Sequence, residues 1–163
     1  MRSGGLRVGE AAEEGEAAAG LPESIVLACI DGDTAAVAAW LDAGGEGRVD
    51  TTWDGPRDVV RGVTLLMMAS KYGHEATVKV LLERGASVDH QDRSPRQDTA
   101  LMYAACNGHA SIMRQLLQTG AQWDMRGNNG RSALQIAQGQ GHHECVRAIE
   151  EHEAAAAASA RAA

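Results

Sequence analysis

The stretch Thr99 to Ala121, TALMYAACNGHASIMRQLLQTGA, decides how this chain is read. Leu101 and Ala104 fall at helical spacing before Gly108, and Ile112, Leu116 and Leu117 do so after it, so the stretch predicts two short helices around a glycine turn. It also holds Cys106 and His109, three residues apart, and His142, His143 and Cys145 follow downstream. Such a cluster belongs either to a metal or thiol site or to a pattern that repeats.

The pattern repeats. Thr64-Leu65-Leu66-Met67-Met68-Ala69 lies over Thr99-Ala100-Leu101-Met102-Tyr103-Ala104 and over Ser132-Ala133-Leu134-Gln135-Ile136-Ala137, at steps of 35 and 33 residues. Downstream, Gly73-His74, Gly108-His109 and Gly141-His142 superpose, as do Leu81, Leu116 and Ile149, and Gly85-Ala86 matches Gly120-Ala121. A degenerate upstream copy puts Ile25, Ala28, Gly32, Val37, Trp40, Leu41 and Gly44 in register with Leu66, Ala69, Gly73, Val78, Leu81, Leu82 and Gly85. No single helix pair can bury its apolar side alone. Stacked pairs share one continuous core, which requires about three or more units.

These residues resemble the ankyrin repeat family, whose unit of about 33 residues runs T-P-L-H-x-A, then G-H, then G-A. The resemblance implies an all-α repeat solenoid of stacked helix-turn-helix units with projecting β-hairpin loops. Departures are visible: Leu65, Ala100 and Ala133 replace the proline, and Met67, Met102 and Gln135 replace the histidine of the T-P-L-H stretch. Losing a fixed φ at the first helical turn costs about 0.4 to 1 kcal/mol per site through the unfolded chain, so this array is expected to be less stable than an idealised one. At the C-terminal end Glu150 stands in the place of Leu82 and Leu117, the mark of a capping unit.

Around the repeats, composition shifts. Met1 to Glu23 carries two Arg against five Glu, and Gly4 to Gly20 is mostly Gly, Ala and Glu with little to bury, so disorder is expected there. Ala154 to Ala163 is alanine-rich and is expected to extend a preceding helix. The division that follows is a Gly/Ala/Glu-rich tail over 1–20, the array over 21–152 in units of about 21–61, 62–96, 97–129 and 130–152, and an Ala-rich tail over 153–163.

Charge and cysteine use narrow the function. The net charge of -7 includes no Lys/Arg run, so the counterion-displacing surface that nucleic-acid binding requires is not expected. The longest apolar run, Ala35 to Leu41, is far too short for a bilayer span. An N-terminus without an apolar core for export, with three unevenly spaced cysteines, predicts free thiols in the cytoplasm or nucleus.

Repeat phase then reassigns the Cys/His cluster. His74, His109 and His142 hold one position in successive units, which predicts a structural role in the interhelical turn. Cys145 aligns with Ile112 and Thr77, an inward position suited to a small hydrophobe. A zinc site needs four donors about 2.0 to 2.3 Å from one point, whereas equivalent positions in neighbouring layers lie roughly 8 to 10 Å apart. A thiol- or metal-dependent enzyme using Cys106 with His109 or His142 is therefore the alternative, not the expectation: no orienting carboxylate or oxyanion loop accompanies the pair. No cofactor and no metal is expected.

The resemblance implies that partners are gripped by hairpin tips and by the exposed face of the first helix in each unit. Carried over, those positions are Asp31 in the first unit; Arg61, Val63, Lys71 and Tyr72 in the second; Arg96, Asp98, Cys106 and Asn107 in the third; and Asn128, Asn129, Arg131 and Gln140 in the fourth. The loop from Gly44 to Thr64 is six to eight residues longer than its counterparts and contains Trp53 and Arg57. Trp53 has no repeat-defined core place, so it is either a partner anchor or a residue folded onto its own hairpin. Acids such as Asp54, Asp92 and Asp98 are expected among the basic residues of this edge. The function expected is a noncatalytic scaffold or adaptor, acting as a monomer on a protein partner that carries an Asp/Glu segment. An accessory subunit that positions an enzyme in trans is a further alternative.

Overall fold

The computed structural model describes residues 20–44, 48–55 and 61–162. The expected disorder before Gly20 and the expected contact at Arg57 lie outside them. Among the described residues the helices are α1 (Glu23–Asp31), α2 (Thr34–Gly44), α3 (Leu65–Tyr72), α4 (Glu75–Glu83), α5 (Ala100–Asn107), α6 (Ala110–Thr119), α7 (Ala133–Gln140) and α8 (His143–Ala162). Two short strands, β1 (Thr52–Trp53) and β2 (Val63–Thr64), pair antiparallel ahead of α3, with Trp53 opposite Val63. First helices stack in the order α1, α3, α5, α7, and second helices in the order α2, α4, α6, α8. The chain is an all-α solenoid.

Local chemistry sets each helix boundary. The hydroxyls of Thr64 and Thr99 accept from the amides of Met67 and Met102, both at 3.3 Å, and Ser132 accepts from the amide of Gln135 at 3.5 Å. Each such cap is worth about 1 kcal/mol. Two of the three residues that replaced the family histidine also reach back. Gln135 Oε1 accepts from the Ser132 amide at 3.1 Å, and Met67 Sδ makes the weaker equivalent contact with the Thr64 amide at 3.5 Å.

At the other end of each first helix, Gly32, Gly73, Gly108 and Gly141 turn the chain at φ of 78°, 83°, 79° and 74°. This left-handed region admits glycine without steric cost. Three of these glycines serve a second purpose: a Cβ on Gly32, Gly73 or Gly108 would stand within 3 Å of the ring of His74, His109 or His142 from the next unit.

Burial follows each helix's position in the stack. Helix α3 lies between α1 and α5, and Leu65 through Ser70 are all buried. Helix α1 has a first-helix neighbour on one side only, so Val26 and Cys29 are buried while Ile25 and Ala28, expected inward, are half-buried. Val78, Leu81, Ile112, Leu116 and Ile149 fill the layer between first and second helices. Cys145 joins them at full burial, as its alignment with Ile112 predicts. Helix α8 continues as one helix through the exposed alanines to Ala162, in keeping with the high helix propensity of alanine.

Val63 requires a correction. It was expected at a hairpin tip, yet it is 5% exposed, because β2 leads straight into α3 and directs this side chain under the hairpin.

Candidate functional site

The three superposed histidines turn out to be ties between units. His74 Nε2 bonds the carbonyl of Ile30 at 2.6 Å, His109 that of Lys71 at 3.1 Å, and His142 that of Cys106 at 3.2 Å. Because the acceptors are carbonyls, Nε2 carries the proton in each case. Each ring caps an otherwise orphan carbonyl near the end of the preceding unit's first helix. The Nε2 of both His109 and His142 is thus engaged on the backbone.

The hairpins are tied together as well. The amide of Arg93 donates to the carbonyl of Arg61, and that of Asn128 to the carbonyl of Arg96, both at 2.7 Å. Asn128 Nδ2 adds a bond to the Pro95 carbonyl at 3.1 Å. On the second unit's hairpin, formed by β1 and β2, Asp54 accepts from the Gly62 amide at 2.6 Å and pairs with Arg93 at 3.0 Å. The Gly62 amide and then Arg93 hold its carboxyl below the usual range.

Asp92 organises the third hairpin. Its Oδ1 accepts from Ser94 Oγ at 2.6 Å and from the amides of Ser94 and Asp98 at 3.0 and 3.3 Å. Its Oδ2 accepts from the Tyr103 hydroxyl at 2.6 Å. Burial, followed by the Asp92 carboxylate, pushes the Tyr103 phenol up. Asp92 is 2% exposed and Asp98 is 7% exposed, so the expectation that both stand among exposed edge charges is corrected. The turn that opens at Asp92 folds both carboxyl groups inward.

Between this hairpin, the next one and helices α3, α5 and α7 lies a concavity of about 710 Å³. Eight of the residues expected to meet a partner line it: Lys71, Arg96, Asp98, Cys106, Asn107, Asn129, Arg131 and Gln140. Arg96 Nε lies 3.3 Å from Asp98 Oδ2. Burial raises the Asp98 pKa, Arg96 opposes the rise, and Asp92 adds to it. Lys71 and Arg131 make no ion pair among the described residues; Lys71 Nζ sits 5.3 Å from the centre of the Tyr72 ring. Three cations therefore face the concavity against one carboxylate. Cys106 is half-buried in its wall, with Gln140 Nε2 at 3.8 Å from its sulfur.

The remaining expected residues lie elsewhere. Asp31 is exposed at the end of α1, and Arg61 is exposed beside β2. Tyr72 is 44% exposed but outside the concavity, and Asn128 is exposed while its polar groups serve the third hairpin. Trp53 is half-buried and packs on the core from across Val63, which is the second of its two readings. Tyr103, Met102 and Ile136 line the concavity unanticipated. Helical spacing places Tyr103 on the face of Cys106 and Asn107, and Ile136 on that of Gln140, a signal that was available.

Among the described residues no three His, Cys, Asp or Glu side chains converge on a point that would hold a metal ion, and no helix is long and apolar enough to cross a membrane. All three cysteines are free thiols; Cys29 and Cys145 are buried. A family model for ankyrin repeats, in three copies, matches residues 66–159. No curated protein matches the chain.

Proposed function

The chain belongs to the ankyrin repeat family, whose arrays are generally protein–protein interaction modules, and from that premise we propose a noncatalytic scaffold that holds a protein partner in the concavity between the third and fourth hairpins. One observation carries the reading. Eight side chains from positions that vary between units meet in one concavity of about 710 Å³, and three of them are cations. In the proposal the partner enters as an extended segment carrying Asp or Glu. Lys71, Arg96 and Arg131 receive its carboxylates, Asn107, Asn129 and Gln140 supply amide hydrogen bonds, and Met102 and Ile136 offer apolar contact.

Arginine suits this role because its planar fork pairs bidentately with carboxylates. The ties from His109 and His142 to backbone carbonyls support a noncatalytic role, since they give both rings a structural use while the Cys106 sulfur has Gln140, not a histidine, as its hydrogen-bond partner. The proposal places the protein in the cytoplasm or nucleus, working as a monomer.

Selection of random extended peptides on the immobilised chain tests the reading. Enrichment of Asp and Glu is expected, and it should vanish with Arg96→Ala/Arg131→Ala. Equal enrichment on the double variant would mean that the peptides bind elsewhere.

A further inference from the structure

We propose that the concavity reads a phosphorylated segment: the anion that decides binding is the phosphoryl group of a phosphoserine or phosphothreonine, held between Arg96 and Arg131 with Lys71 beside them. The inference rests on the reading of the concavity as a seat for an acidic partner, and it names the anion that this seat fits.

Convergence of the two arginines is the first argument. Successive amides of the fourth hairpin bridge their backbones: the Gly127 amide donates to the Arg131 carbonyl at 3.1 Å, and the Asn128 amide to the Arg96 carbonyl at 2.7 Å. Glycine makes this approach possible, because a Cβ on Gly127 would stand 2.6 Å from the Arg96 carbonyl oxygen, 3.3 Å from Asn129 Oδ1 and 3.4 Å from Asp98 Oδ1. Asp98 Oδ2 in turn holds Arg96 Nε at 3.3 Å, and Asn129 Oδ1 accepts from the Arg131 amide at 3.0 Å. The third and fourth hairpins therefore bring one arginine each to the two sides of a single glycine. Both side chains line the same concavity, and Lys71 joins them from α3.

The donors left over are the second argument. Arg96 gives its Nε to the buried Asp98 carboxylate, and its terminal nitrogens bond nothing else among the described residues. Asp98 thus occupies one edge of the guanidinium fork and leaves the other for a ligand. Arg131 and Lys71 make no ion pair among the described residues, so a second fork and an ammonium are also open. A carboxylate has two oxygens and satisfies one fork. A phosphoryl monoester has three, carries about −1.5 to −2 at neutral pH, and serves two forks and an ammonium at once. Charge agrees with this count of donors: three cations against the one lining carboxylate, Asp98, leave an excess that one phosphoryl dianion matches.

The test passes two peptide libraries over the immobilised full chain, alike in their random positions and differing at the centre, where one carries phosphoserine and the other Asp-Asp. The phosphoserine library is expected to be retained about ten-fold more strongly. Arg96→Lys/Arg131→Lys keeps both charges but removes both forks, so it should bring the two libraries to parity while still retaining the Asp-Asp peptides. Inorganic phosphate should displace the phosphoserine peptides only in large excess. Retention of the Asp-Asp library equal to or above that of the phosphoserine library would overturn the phosphoryl assignment while leaving the acidic-partner reading standing. Retention of neither would overturn the two together. A phosphoserine preference that survives the double Lys variant would put the phosphoryl group elsewhere on the chain, and displacement by equimolar phosphate would make the site one for the free anion; either result would count against the inference.

Discussion

His109 Nε2 donates to the Lys71 carbonyl at 3.1 Å, across the boundary between two units, while the Gly73 that follows this carbonyl leaves the space the ring occupies. The Gly-His pairs are thus two halves of one joint: the glycine of one unit makes room for the histidine of the next.

Two substitutions at this joint should differ in cost. His109→Ala removes one hydrogen bond to an otherwise orphan carbonyl and is expected to lower unfolding free energy by about 1 kcal/mol. Gly73→Ala forces a side chain into φ 83° and puts a Cβ 2.7 Å from the His109 ring, so it should cost about 2 kcal/mol or more. Urea denaturation of the two variants measures the difference. A Gly73→Ala chain as stable as wild type would show that the joint is not built this way.

The Asp98 carboxyl predicts a pH dependence. Its folded pKa is raised above the ordinary 3.8, first by burial and further by Asp92, with Arg96 opposing. The folded chain therefore holds this proton more tightly than the unfolded chain does. The stabilisation linked to it is fully present below 3.8 and is lost as pH rises through the folded value. Compared with Asp98→Asn, the wild type should lose stability as pH climbs above 3.8, and Arg96→Ala should extend that loss to higher pH. Denaturation midpoints from pH 3 to 7 read the effect; a wild-type curve parallel to that of Asp98→Asn would contradict it.

Caps, turns and unit phase were legible because each depends on residues close together in the chain. Thr99 caps its own helix, Gly108 turns the next three residues, and their recurrence identified the solenoid. The cationic side of the concavity was legible by the same phase, since Lys71, Arg96 and Arg131 occupy variable positions. Asp92 was not. Its burial depends on a hydroxyl eleven residues away and on two amides of a turn whose shape the unit pattern does not specify. Val63 was misplaced for a related reason: a hairpin tip and the strand that enters a helix are adjacent in sequence, but only the strand's side chain points to the core.

The three thiols should separate in reactivity. The thiolate is the reactive form, so both burial and an elevated pKa slow attack. Cys29 is fully buried, its thiol donates to the Leu65 carbonyl at 3.5 Å, and burial pushes its pKa up to about 12. Cys145 is also fully buried, with a pKa raised by the same cause. Cys106 is half-buried at the concavity, where reagent reaches it from solvent. A chromogenic disulfide reagent at pH 8 should therefore titrate about one thiol rapidly in the native chain and all three in denaturant. Cys106→Ser should abolish the rapid phase, and an acidic peptide seated in the concavity should slow it in the wild type. Rapid labelling of two or more native thiols would mean that the layer holding Cys29 or Cys145 opens far more readily than its packing implies.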